Sequence, residues 1–215
     1  MRTIIIERGH EVKPYQYEEQ TDIEKVIIHE GARIGRCAFV RCGGITHINI
    51  AEGVLIGNSA FYECTGITHL NIAEDVTIKG SAFYECTSIT ELAIAEGATI
   101  ANNAFKSCTG ITKLNIARGV TIDAAFADCT GITELNIVEG ANIGEDVFNS
   151  CIGITKLNIA KGVTIGEYAF WGCTGITEVI IAKRVTIGVC AFWKCSGITE
   201  VNIAEGVTVG QKGFL

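Results

Sequence analysis

Apolar residues return along this chain in a fixed figure. From Ile67 to Cys86 the figure runs Ile67, Leu70, Ile72, then Val76 and Ile78, then Ala82, Phe83 and Cys86, with mostly polar or small residues between. The LxxLxL spacing of the first three, with Leu70 and Ile72 alternating about Asn71, predicts a strand with one buried face. Leu70 and Ile72 are expected to point inward and His69, Asn71 and Ala73 outward. Val76-Thr77-Ile78 repeats the alternation in a shorter extended piece. The Ala-Phe segment that ends at Cys86 reads as a helical or 3-10 turn whose Phe and Cys plug the core. Two residues after the Ala position, seven of nine copies carry glycine (Gly31, Gly53, Gly97, Gly119, Gly140, Gly162, Gly206), which suits a turn needing positive φ. Asp75 tolerates that backbone, whereas nothing in the sequence explains Arg184 at the same position.

The figure repeats through most of the chain. Cys42, Cys64, Cys86, Cys108, Cys129, Cys151, Cys173 and Cys195 are 22 residues apart, with one step of 21 between Cys108 and Cys129. Phe39, Phe61, Phe83, Phe105, Phe126, Phe148, Phe170 and Phe192 each stand three residues before one of them, and Phe214 continues the row. Self-similarity at such a period means a solenoid whose units stack only on their neighbours, so the 215 residues form one elongated body. Residues 22–215 read as eight full repeats and a partial ninth, and residues 1–21 as an N-terminal cap. After Phe214 no polar cap follows. Either the chain continues in a longer protein, or the open end, with Phe214 and Leu215, docks on a second copy as a homodimer. The deletion near Asp123 to Phe126 should disturb the stack locally.

Each unit resembles the leucine-rich repeat of the BspA-like, or Treponema pallidum, subclass, in the pattern Ile111-Thr-Lys-Leu114-Asn-Ile116 and in the tail Ile165-Gly-Glu-Tyr-Ala169-Phe170-Trp-Gly-Cys173. The resemblance covers about residues 22 to 215. One departure is that alanine (Ala51, Ala73, Ala95) follows the strand where the subclass usually has proline; the only proline is Pro14. The resemblance implies a repeat solenoid: a curved, right-handed superhelix with a concave parallel β-sheet, and short strands, turns or 3-10 segments on the convex side. It also implies binding to proteins or surfaces and not catalysis.

Composition narrows the picture. The formal charge of −7 argues against nucleic acid as partner, and the aliphatic runs are too short to span a bilayer, so no membrane insertion is expected. The N-terminal apolar run is broken by charge after three residues, unlike a signal peptide. The eight repeat cysteines are expected in the core as small hydrophobes, because in-register parallel Cβ vectors fit a disulfide poorly and no CxxC pair suggests metal. Such thiols suggest a reducing compartment. Cys37 and Cys190, at a variable position, are the candidates for an exposed, reactive thiol.

The outward columns of the long strands are where a partner would touch. One runs Lys25, His47, His69, Glu91, Lys113, Glu134, Lys156, Glu178, Glu200, alternating in sign from Glu91 to Glu178, so that each carboxylate is expected to face an ammonium. Beside it lie an asparagine column (Asn49, Asn71, Asn115, Asn136, Asn158, Asn202) and a nearly all-alanine floor. His47 and His69, adjacent in their column, read as a pH-sensitive patch, and no metal site is expected there. Tyr62, Tyr84, Tyr168, Trp171 and Trp193 form a candidate aromatic contact patch. The threonine row at Thr77, Thr99 and Thr121 lacks the second column an ice-binding face needs. With no phosphate loop, nucleophile elbow or HExxH, the expected function is a protein-interaction scaffold without enzymatic activity or cofactor. The alternatives are an adhesin, an exported host-directed effector, or the repeat domain of a larger protein.

Overall fold

The computed structural model describes residues 1–214. They wind into ten coils, each giving one strand to each of two ten-stranded parallel sheets. The long strands run from Arg2–Ile6 and Ile23–Ile28 to Glu200–Ile203; the short ones from Glu11–Val12 to Thr208–Val209. Coil follows coil in register, with Ile48 opposite Leu70 and Ile50 opposite Ile72 in the long sheet, and Thr99 opposite Thr77 in the short one. The alternation determines which face is wet: along His69–Ile72 the pattern is exposed, buried, exposed, buried. Residues 1–21 make a coil of the same kind. Arg2–Ile6 pairs with Ile23–Ile28, Glu11–Val12 with Arg33–Ile34, and Tyr17 stacks on Phe39 at 4.8 Å where later coils carry phenylalanine.

The interior is a set of columns. Neighbouring phenylalanine rings lie 4.7 Å (Phe192 on Phe214) to 5.7 Å (Phe126 on Phe148) apart and nearly parallel, and no polar or charged residue among those described is buried. All ten cysteines are unpaired and buried. Each repeat thiol donates to the carbonyl of the aromatic residue one coil back, as in Cys42 Sγ to Tyr17 O at 2.9 Å, Cys64 Sγ to Phe39 O at 3.0 Å and Cys108 Sγ to Phe83 O at 3.0 Å. This is why the position suits cysteine: it is apolar enough for the core yet supplies a weak donor to a carbonyl that would otherwise make one bond fewer. Cys37 and Cys190 correct an expectation. They are only 9% and 4% exposed, because their N–H groups donate to Asn58 O and Gln211 O and draw the next coil over them.

The Ala-Phe segment is not helical, and no helix occurs among the described residues. Bonds of i→i−3 type close it, such as Ala60 N to Gly57 O and Cys64 N to Phe61 O. Residues two before and two after the phenylalanine, Ser59 and Glu63 in this coil, take left-handed backbone at φ 54° and break any helical run. That arrangement turns alternate N–H groups toward the next coil, where Ser59, Phe61 and Glu63 donate to Gly80 O, Ala82 O and Tyr84 O. A third side of the solenoid is thus hydrogen-bonded along the stack, and the inter-coil bonds offset the backbone strain.

The glycine turn has the expected positive φ throughout, including Asp75 at 54° and Arg184 at 60°. A left-handed non-glycine residue costs about 1–2 kcal/mol. Arg184→Gly is therefore expected to stabilise the chain by roughly 1 kcal/mol, read as a higher urea midpoint; an unchanged or lower midpoint would show that the arginine side chain contributes more than its backbone costs.

The short coil at Asp123–Phe126 is absorbed in the turn, where Ala124 sits at φ 41°, and both sheets keep their register across it. The long-strand sheet opens elsewhere, at two joints. Between His69–Ile72 and Glu91–Ile94 only Ile72 and Ile94 pair, and between Glu134–Ile137 and Lys156–Ile159 only Ile137 and Ile159. Leu70 and Leu135 are accordingly 7% and 6% exposed, against 0% for Leu114 and Leu157. The short strands stay paired at both joints.

Candidate interaction surfaces

The outer face of the long-strand sheet carries the expected column. His47, His69, Glu91, Glu134, Lys156 and Glu200 are exposed, and Lys25, Lys113 and Glu178 half-buried. The alternating charges resolve into two dyads and not a continuous ladder: Lys156 Nζ lies 2.8 Å from Glu178 and Lys113 Nζ 3.6 Å from Glu134. One ammonium reaches one neighbour closely, and Glu134 and Lys156 face each other across an open joint. Each dyad, being solvated, is worth at most about 1 kcal/mol. In the adjacent asparagine column Asn136 Nδ2 donates to Asn115 Oδ1 at 2.7 Å, an amide bond from coil to coil.

His47 and His69 stack with centroids 4.3 Å apart and planes 3° from parallel. Thr46 Oγ1 donates to Glu24 O and lies 2.8 Å from His47 Nδ1, and Thr68 repeats this with Thr46 O and His69. With the hydroxyl hydrogen on the carbonyl, each threonine oxygen is free to accept from a protonated Nδ1 of its histidine. The parallel stacking sets the two imidazoles side by side and not convergent on one point. The pair lines a shallow depression with Asn49, Leu70, Asn71 and Glu91, at the first open joint.

On the turn side the aromatic patch divides in two. Tyr62 and Tyr84 stack at 4.9 Å. Near the other end it is Tyr168 that stacks on Trp193, at 6.1 Å, while lysines from following coils cover the indoles: Lys194 Nζ lies 4.8 Å from the Trp171 ring and Lys212 Nζ 5.8 Å from that of Trp193. These cations make the patch less apolar than two adjacent tryptophans suggest. Lys194 follows Trp193 directly and Lys212 stands 22 residues after Cys190, three positions short of the tryptophan column, so only the coil geometry brings them over the rings.

The last described coil exposes residues that are core in the coil before it. Val201, Ile203 and Val209 are 37%, 49% and 42% exposed, whereas Val179, Ile181 and Ile187 are at 0–2%. Phe214 stacks on Phe192 and, with Trp193 and Val201, lines an apolar recess. Leu215, expected at the same surface, lies outside the described residues.

Residues 10–124 and 98–214 match the BspA type leucine rich repeat region, a pattern of six copies, and the two matches together span nearly the whole chain. The chain belongs to the BspA type leucine-rich repeat family. Among solved structures this BspA-type chain is similar to a leucine-rich repeat protein from Bacteroides ovatus, at 18% identity and a TM-score of 0.54 over 99% of this chain and 72% of that one. It is also similar to the pneumococcal vaccine antigen PcpA, at 12% identity and a TM-score of 0.48 over 94% and 78% of the two chains. The likeness to the Bacteroides ovatus protein, at that identity, concerns the fold. No curated protein matches the chain. Among the described residues, no helix is long and apolar enough to cross a membrane, and no group of three or more His, Cys, Asp or Glu side chains is placed to hold a metal ion.

Proposed function

We propose that this BspA-type solenoid is a non-enzymatic protein-interaction scaffold whose partner lies across the long-strand sheet. The observation that carries the reading is the division of labour within each strand. Inward positions are held to Leu, Ile or Val through the stack, while the outward column beside them changes from histidine to carboxylate to ammonium on a repeating backbone. Varied polar chemistry on a repeating frame is what selective recognition uses, since charge sets partner choice more than raw affinity.

The same charges also serve the fold, and one variant separates the two roles. Lys113→Glu with Glu134→Lys, and Lys156→Glu with Glu178→Lys, preserve both dyads but invert the charge at each position. The swapped protein is expected to melt within a few degrees of the parent, because the dyads contribute at most about 1 kcal/mol each. A protein partner captured by the parent and identified by mass spectrometry should be lost, with affinity falling about tenfold or more. Undiminished binding by the swapped chain would remove the partner from this face. Substrate turnover abolished by a surface substitution would overturn the non-enzymatic reading.

A further inference from the structure

The turn side of the solenoid offers a second, separate contact. Trp171 is covered on the side of the following coil by Lys194. On the side of the preceding coil its ring borders a notch lined by Asp146, Asn149, Tyr168 and Trp171. The notch exists because this column drops from tryptophan at 171 to the shorter Asn149 one coil earlier. Its polar wall is held in place: Asn149 Nδ2 donates to Asp146 Oδ1 at 3.2 Å, and Ser150 Oγ donates to Asn149 Oδ1 at 2.8 Å.

The charge around the notch points to its occupant. Asp123, Glu145 and Glu167 follow one another along adjacent coils, all exposed, with Asp146 among them. Among the described residues none of these four carboxylates has a Lys, Arg or His nitrogen within 4.0 Å. An indole that lines a recess beside carboxylates without a cationic partner attracts a cation through the ring quadrupole and charge-assisted hydrogen bonds, and repels an anion. Lys194 on the far side of the same ring already shows that contact. We propose that the notch receives an arginine or lysine side chain of a protein partner, its cationic head packed on Trp171 and paired with Asp146. This rests on the scaffold reading and names the chemistry a partner must present.

The test is selection of a random-peptide phage library on the whole chain, followed by calorimetry of the selected peptides. The titrated proteins are the parent, Trp171→Ala, Asp146→Asn, and Glu74→Gln as a carboxylate control on another edge. Both notch positions are partly solvent-accessible, and asparagine tolerates the left-handed backbone of residue 146, so folding is expected to survive and is checked by melting. The expected result is peptides rich in Arg or Lys whose affinity falls about tenfold in Trp171→Ala and several-fold in Asp146→Asn, and is unchanged in Glu74→Gln. Peptides indifferent to both notch variants would overturn the notch and leave the scaffold standing. No selected peptide at all would overturn both. Binding of maltohexaose that depends on Trp171 but not on Asp146 would replace the basic side chain with a neutral sugar.

Discussion

Replacing Phe105 by alanine is expected to destabilise the chain by about 3–5 kcal/mol. The ring is fully buried in the middle of the row, 5.2 Å from Phe83 and 5.1 Å from Phe126. Truncation would leave a void that resists collapse, because the coil of Phe126 is hydrogen-bonded to that of Phe105 on three sides and the coil of Phe83 on two, through the short strands and the Ala-Phe segment. In a solenoid, stability is a sum of coil and nearest-neighbour terms, so a defect at the centre weakens the joint that couples the halves. Both tryptophans, Trp171 and Trp193, lie in the C-terminal half. Urea unfolding followed by tryptophan fluorescence and by far-ultraviolet circular dichroism should therefore coincide for the parent and separate for Phe105→Ala. A loss under about 1 kcal/mol with coincident curves would show that the aromatic row does not couple the stack.

Alkaline solution is expected to unfold the protein steeply. Burial pushes the repeat thiols upward: Cys42 and Cys195 to about 11, Cys108 to about 12, and Cys86, Cys129 and Cys151 well above the ordinary value. An unfolded thiol ionises near 8.5. Below that pH both states hold the proton and the thiols leave stability unchanged. Above it the unfolded chain loses protons that the folded chain retains, so stability falls until the folded thiols ionise in turn. Each thiol contributes up to about 1.4 kcal/mol per pH unit in that window. For the eight repeat thiols together the slope is on the order of 10 kcal/mol per pH unit, comparable with the whole stability of a domain. Under reducing conditions unfolding is expected between about pH 9 and 10.5, and replacing Cys86, Cys108 and Cys129 by alanine should flatten the slope. Stability that holds to pH 11 in the parent would contradict the burial of the thiols.

Much of this fold is legible in the sequence because the solenoid repeats its evidence. The strand figure, the Phe and Cys rows and the glycine turn each recur with one interval, and the structure has them where the interval places them. What escaped followed from conformation that side chains do not announce. The left-handed residues beside each phenylalanine include Glu63, Glu85 and Lys194, which carry no turn signature, so the third hydrogen-bonded side read as a helical or 3-10 turn. The first coil hid behind one substitution, tyrosine for phenylalanine at position 17, although Gly9 and Val12 stand 22 residues before Gly31 and Ile34. Of the candidate surfaces, the Lys/Glu column was readable as a column but not as dyads, because reach across a joint depends on spacing. The notch beside Trp171 needs two adjacent coils at once, and no single repeat contains it.

The two open joints have a mechanical meaning. At each, the long strands have parted while the short strands on another side stay paired, as a book opens along its fore-edge and holds at its spine. The long-strand face is therefore three stiff panels, Arg2–Ile72, Glu91–Ile137 and Lys156–Ile203, joined by two creases. Bending should concentrate at the creases, since within a panel every step must break a ladder of backbone bonds. A partner laid across a crease can set the angle between panels, so the same columns of side chains can fit surfaces of different curvature without any coil unfolding.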